Sequence, residues 1–502
     1  MIPTRARSAK LPGSAFLSEW RFARWFGSRG GRVSYLPAAS RADMLGSMRF
    51  PALLFLAATA FADDWPEFMG PSRDQVSAET GLLDFFSEKG PRLVWERAVG
   101  KGYSAPSVRG DSLVVHHRIG GEEIVEACEA KTGATRWKHA YPSSYTDPFG
   151  YNNGPRCTPL LTADRCYTFG AEGTLLCVEL ETGKPVWRRD TEKDFEVPAA
   201  FFGVGSSPIL ENGMLIVQVG AQPDSAVVAF DAATGKTVWE SVGEKSWTGV
   251  PMTGWPAERT VVWNRADPVF DKQASYCTPV AATIHGRRCV LVVTRQGLVS
   301  LDPKTGAVNF SFWFRCRQNE TVNAMTPVVS GDTIFLSSAY YKLGSVLLRV
   351  KPDGKSVEEV WRGLQLEMHW TRPVFHEGHL FAFSGRNEPD ARFRCVELAT
   401  GKVKWDRDEA WPNGGHGRVR HGGEPKVFGR GSAILADGKL IALGEAGLLG
   451  LFQPNTAQIE ELGRWQVPQL GYPCWAAPVL ANRLLYLRDE DHLVCYDLGK
   501  TQ

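Results

Sequence analysis

The chain has 502 residues, 43% of them hydrophobic, with 51 Gly and 17 Trp, which is ample material for a large core broken by many tight turns. Its net charge of +2 arises at the N-terminus: residues 1–62 carry nine Lys/Arg and two Asp/Glu, leaving 48 basic against 53 acidic side chains, a net of −5. No basic stripe remains in that larger part, which excludes a nucleic-acid-binding surface.

Residues 1–47 are Arg- and Ser-rich, lack periodicity and precede or include Met44, so they read as a disordered extension upstream of the true start. Residues 48–62, MRFPALLFLAATAFA, have a basic start at Arg49, an apolar run and an Ala60-Phe61-Ala62 cleavage pattern. That is a secretory signal, too short to span a membrane, and it predicts a periplasmic or extracellular protein. No Cys follows the run to carry a lipid anchor, and no later stretch reaches the roughly 20 apolar residues of a membrane helix. Residues 63–92 form an N-terminal segment, and 93–500 carry a repeat.

The repeat is a strand opening near Pro, a Gly/Asp/Asn turn, two more strands, a TG-type turn and a strand holding Trp. One copy is TPLLTADRCYTFGAEGTLLCVELETGKPVW, from Thr158 to Trp187. The Pro recurs at 106, 159, 208, 279, 327, 373 and 478, with Ala433 standing in once. The Trp recurs at 137, 187, 239, 313, 361, 405 and 465. The eighth unit, Pro478 to Leu498, lacks its last strand, and Leu93-Val94-Trp95-Glu96 at the other end of the repeat has the character of that strand. The prediction is an all-β chain folded as an eight-bladed β-propeller of four-stranded antiparallel blades, closed by Leu93–Glu96 completing the last blade. Blades that bury both faces against neighbours need no other core.

Ten cysteines in an exported chain raise the question of disulfides. Cys128, Cys177, Cys395 and Cys495 read as one repeat position filled by a small buried hydrophobe. Cys166 and Cys177 flank a turn and are expected opposite each other, leaving one pairing open.

The units ending in TGKxxW resemble the repeats of quinoprotein alcohol dehydrogenases and of the outer-membrane assembly lipoprotein. The whole of residues 64–500 resembles the bacterial exported PQQ-binding-like propeller proteins, through DWPEFMGPSRD (64–74), GYNNGPRCTP (150–159), GRNEPDARFRCVELATGKVKW (385–405), GRGSAILADGKLIAL (429–443) and CWAAPVLANRLLYLRDEDHLVCYDL (474–498). The resemblance implies fold, and fold alone does not imply activity. A quinoprotein dehydrogenase holds its quinone, PQQ, under a lid of two adjacent cysteines, with Ca²⁺ polarising it. No two cysteines are adjacent here, and Asn264, Asp267, Asp271 and Asn323 are the residues from which a Ca²⁺ cluster could be assembled. A PQQ- and calcium-dependent oxidoreductase acting on alcohols or sugars is the alternative reading, and an envelope assembly scaffold, weakened by the missing lipid-anchor Cys, is a third.

The leading reading is a non-catalytic monomer that binds a small molecule, peptide or protein partner through its funnel. The longest blade-to-blade connections, near 188–205, 240–275, 406–430 and 466–474, rim that funnel. Trp247, Trp255, Trp263, Trp370, Trp411 and Trp475 are placed in such connections. Residues just before each first strand should point inward: Tyr103, Arg156, Tyr276, Asn323, His369, Trp370, Arg372 and Trp475. Such side chains suit a flat, sugar-like or peptide ligand. Arg156 and Arg372, four blades apart, are expected to face each other across the axis. His416, Arg418, Arg420 and His421 form a cationic loop suited to anions. His376 and His379 flank a hairpin turn on the opposite face, and His116 and His117 alternate faces of one strand, so no metal site is predicted.

Overall fold

Two kinds of strand recur along the chain. Second and third strands such as Ser112–Ile119 and Glu122–Glu129 are buried at nearly every position, because a neighbour covers each face of the sheet. Fourth strands such as Thr135–Pro142 alternate exposed with partly buried residues, as an outer edge should. The computed structural model describes residues 64–198, 202–221, 225–241, 252–253, 274–316, 322–411 and 427–500. The upstream extension, the signal segment and the loop His416, Arg418, Arg420 and His421 lie outside them, as do Trp247, Trp255, Trp263, Asn264, Asp267 and Asp271.

Eight antiparallel blades follow one another, their first strands beginning at Ser107, Leu160, Ile209, Val280, Val328, Val374, Ser432 and Val479. The core is the set of layers between blades. Tyr167, Phe169 and Cys177 of blade two, for example, pack against Leu215, Val217 and Phe230 of blade three. Blade eight takes its fourth strand from Arg92–Ala98, which pairs with His492–Asp497 and sets Trp95 opposite Cys495.

The Trp works through a bulge. At Trp95, Trp137, Trp187, Trp239, Trp361 and Trp405 the fourth strand slips register by one residue. Each of these indoles donates to a carbonyl of the next blade, at 2.8–3.1 Å. For five of them, all but Trp405, the turn glycine of that next blade lies flat on the ring. At Gly183, for instance, a Cβ would overlap Trp137, so only Gly fits.

A closing Trp in every blade was too simple an expectation. In blade four the bulge position belongs to Phe310, and Trp313 sits three residues on, opposite Gly297. The Val350 carbonyl that corresponds to those Trp acceptors is held instead by His285 Nε2 at 2.9 Å. In blade seven Gly463 takes the bulge, and Trp465, two residues on, packs under Gly90. The cysteine expectation also needs correction. Cys177, Cys395 and Cys495 face the Trp, but Cys128 faces Thr135, one residue out of register. Cys166 faces Val178 while Cys177 faces Tyr167, so the two thiols project from opposite faces of blade two and cannot bridge.

Residues 64–90 run through the hub on the side of the first hairpin turns. Asp64 accepts from Gly110 N–H, and Trp65 bridges Val108 of blade one. Leu161 of blade two donates to Pro66, and Arg73 reaches the Leu210 carbonyl of blade three. Val76–Ser77 then adds in parallel to the inner edge of blade seven. Leu82 and Leu83 finish on Asp437 and Leu498. No helix among the described residues is long and apolar enough to cross a membrane.

Candidate ligand-binding mouth

The opposite end of the axis is assembled from the connections that precede each blade. Tyr103 leads into blade one, Tyr151 into two, Phe202 into three, Tyr276 into four, His369-Trp370 into six and Trp475 into eight. Each is held by a short, backbone-anchored approach. Tyr103 and Ser104 both donate their N–H to the Pro155 carbonyl, and Tyr276 donates its N–H to Asn323.

Their rings touch in sequence. Tyr276 lies 5.6 Å from Phe202, Phe202 5.9 Å from Tyr151, and Tyr151 5.5 Å from Trp475. Trp475 continues to Trp370 at 5.3 Å, which meets His369 at 4.9 Å, and His369 stacks on Tyr340 at 5.1 Å. Trp475 also touches Tyr103 at 4.9 Å. Because it meets Trp370 of the sixth connection and Tyr151 of the second, this one indole joins opposite walls. Phe149 and Tyr151 leave the array exposed, at 55% and 46%.

Polar atoms are unevenly satisfied here. The Tyr103 hydroxyl donates to Glu490 at 2.9 Å, and burial and that carboxylate push its pKa up. His369 Nε2 meets the Tyr340 hydroxyl at 3.0 Å, while burial, aided by Arg430 and Arg386, holds its pKa well below the usual value, keeping the ring neutral. Trp370 Nε1, Trp475 Nε1 and His369 Nδ1 are buried and have no hydrogen-bond partner among the described residues. Such groups carry a desolvation cost of about 1–3 kcal/mol each unless something supplies an acceptor or donor.

The structure therefore brings Tyr103, Tyr276, His369, Trp370 and Trp475 into one array. Arg156 lies beside it but is committed: Nη2 pairs with buried Asp147 at 2.8 Å and Nη1 donates to the Gly154 carbonyl at 2.9 Å. Asn323 is a buried strut that donates to the Thr294 and Phe314 carbonyls. Arg372 does not face Arg156 across the mouth. Buried, it donates to the Pro327 and Asp74 carbonyls and so anchors the hub segment, with its pKa lowered by burial to about 10. Trp411 is buried, and its Nε1 too lacks a partner among the described residues. His376 and His379 face each other across their hairpin, with His379 Nδ1 on the Glu377 carbonyl.

Sequence reasoning missed Phe149, Tyr151, Phe202, Tyr340, Tyr341 and Arg386. Tyr151 and Phe202 lie in pre-strand connections and were within reach of that rule. Tyr340, Tyr341 and Arg386 come from turns between second and third strands, which open on the same face. Beside the mouth, Lys101, Arg118, Tyr151, Asn152, Glu490 and Asp491 line a cleft of about 660 Å³.

Comparison with known proteins agrees with this architecture. Residues 121–407, more than half of the chain, match the family model described as outer membrane protein assembly factor BamB. Outer membrane protein assembly factor BamB of Burkholderia pseudomallei (strain K96243) is 29% identical over 171 residues, covering 34% of this chain and 38% of that relative's length. Among solved structures, quinohemoprotein alcohol dehydrogenase from Comamonas testosteroni superposes with a TM-score of 0.57 at 12% identity, covering 88% of this chain and 81% of the other. A europium-containing methanol dehydrogenase gives 0.54 at 13% identity, covering 85% and 89%. At such identities the structural likeness speaks for the fold.

Proposed function

The chain belongs to the propeller family described by the outer-membrane assembly factor BamB, and on that premise we propose that it is an exported, non-catalytic binding propeller. Its task is to hold a small ligand or a segment of a protein partner against the mouth, in the manner of an envelope assembly scaffold. One observation carries this reading: a ring array joining opposite walls, with buried indole N–H groups that have no partner, at one end of an axis whose other end the chain's own N-terminal segment occupies. Aromatic faces with a few fixed donors suit sugars, flat molecules and extended peptides.

The fold likeness to dehydrogenases keeps PQQ with calcium in view, but the mouth does not fit it. Trp475 is already in ring contact with Trp370, Tyr103, Tyr151 and Tyr472, so a quinone sandwiched between rings as under a dehydrogenase lid would have to part them, whereas a ligand lying against their outer face would not. Asp489, Asp491 and His492 gather ligand atoms within 4.8 Å, yet Asp489 already accepts from the N–H groups of Gly471, Asp491 and His492.

The test is intrinsic tryptophan fluorescence of the exported protein during a screen of sugars, peptides, and PQQ with Ca²⁺. Saturable quenching that disappears in Trp475→Ala, with melting little changed, supports the reading. Dye reduction with alcohols in the presence of PQQ and Ca²⁺ would replace it with the oxidoreductase.

A further inference from the structure

On the side of blades five and six the ring array ends in a corner with a chemistry of its own. Arg386 leaves blade six in the turn between its second and third strands. Its guanidinium lies 4.7 Å from the Tyr340 ring centre and 4.6 Å from that of Tyr341. Among the described residues no carboxylate pairs with it. Its neighbour Arg430 differs: it sits over Trp370 at 4.8 Å, but its Nε is bound to the buried carboxylate of Glu445 at 2.5 Å. Among the described residues the Arg386 guanidinium is thus a cation with no carboxylate partner.

The carboxylate of Glu367, which approaches the same turn, is engaged by Lys342 at 3.3 Å. Trp370 Nε1 has no acceptor, and His369, stacked on Tyr340, offers an unpartnered Nδ1. The tyrosine platform is held by an unusual backbone. Tyr341 and Lys342 adopt φ of +52° and +60°, left-handed values that side-chain-bearing residues rarely take. Strain of that kind persists where the surroundings fix it and gathers at ligand clamps.

We propose that Tyr340, Tyr341, His369, Trp370 and Arg386 form an anion subsite that takes the carboxylate of a ring-shaped ligand lying against the mouth. The proposal rests on the reading of the mouth as a binding face and names the chemistry it selects. A single planar guanidinium matches the charge and fork geometry of one carboxylate, and the indole N–H supplies a further donor. The same chemistry occurs in sugar acids and in aromatic acids.

The experiment titrates tryptophan fluorescence with D-galacturonate and benzoate, and with their neutral counterparts galactose and benzyl alcohol. At least one acid should bind about tenfold or more tighter than its neutral counterpart, and the pair showing the preference identifies the source. Arg386→Gln should abolish that preference while leaving the thermal melt within a few degrees, and Arg386→Lys should restore part of it. Equal binding of acids and neutral counterparts would overturn the subsite and leave the mouth standing. Unchanged acid preference in Arg386→Gln would overturn it too. Failure of all four compounds to bind rejects the subsite, and the mouth is then judged on its peptide titrations.

Discussion

The two ends of the propeller axis begin from the same parts, first strands and the connections leading into them, and finish differently. At the hub the chain closes on itself. Main-chain groups of Trp65, Gln75, Leu82 and Leu83 pair with blades one, seven and eight, and Arg372 ties Asp74 down from blade six. At the mouth the side chains meet ring to ring, and indole and imidazole nitrogens stay unpaired. Backbone pairing fills a hub permanently, whereas aromatic contact leaves polar atoms in want of an outside partner. The hub is a structural end, and the mouth is the end at which we propose recognition.

Removing residues 63–97 attacks the closed end and should have the largest effect. It takes away the hub segment and the strand that completes blade eight, baring the edge of His492–Asp497. In a ring whose blades support only their neighbours, the cooperative melt should be lost or fall by more than about 10 °C. A truncated protein that melts with the parent would show that closure lies elsewhere.

The second contrast sits inside the mouth. Arg156→Ala leaves the fully buried Asp147 carboxylate without its ion-pair partner and should cost about 3 kcal/mol. Trp370→Ala removes a partly buried ring whose N–H had no partner, and should cost about 1–2 kcal/mol while abolishing mouth binding. Denaturant melts of the two variants separate a positioning residue from a binding one. If Trp370→Ala proves the more destabilising, the array is core.

At the hub, Arg372→Met should cost about 1–2 kcal/mol, because the Asp74 and Pro327 carbonyls lose their donor. Amide exchange over residues 64–77 should quicken, with mouth binding unchanged. Slow exchange in the variant would mean that the strand pairing at Val76–Ser77 holds the segment unaided.

The blade count and the closing strand were legible because Trp, TG turns and hairpin glycines punctuate the chain at fixed spacing. What spacing could not show was the bulge. A repeat slips register there, so Trp313 and Trp465 looked equivalent to the rest although Phe310 and Gly463 hold their places. His285 substituting for an indole N–H is a tertiary replacement with no local signature. Counting residues before each first strand located five members of the mouth, because those connections converge on the axis. It could not tell that Arg372 turns towards the hub, since side-chain direction depends on which carbonyls are left unpaired nearby. Arg386 and Tyr340 escaped because they belong to turns within blades.

A pH-dependent effect arises at the seam where blade eight meets blade one. Glu126 of blade one accepts from Arg97 of the closing strand at 2.5 Å, from Thr135 at 2.6 Å and from His117 Nε2 at 3.0 Å. His117 Nδ1 accepts from Gly100 N–H at 2.8 Å, which fixes the proton on Nε2 and the ring as neutral. Burial pushes the His117 pKa below 6.5, and Arg488 adds to it, against an opposing pull from Glu126. Burial alone would raise the Glu126 pKa, but the bonds from His117, Thr135 and Arg97 together outweigh it and hold the carboxyl at about 2. Both shifts have the same consequence. Below pH 6.5 the unfolded chain protonates His117 before the folded one does. From about 4.5 down to 2 the unfolded chain likewise protonates Glu126 first. Stability should therefore decline as the pH falls through each range, with the Glu126 contribution complete above 4.5. In Glu126→Gln the acid limb between pH 4.5 and 2 should be shallower than in the parent when melting temperature is followed against pH. A variant that keeps the parent's full acid slope would show that the seam does not depend on this carboxylate, and that the main-chain pairing of Arg92–Ala98 closes the ring by itself.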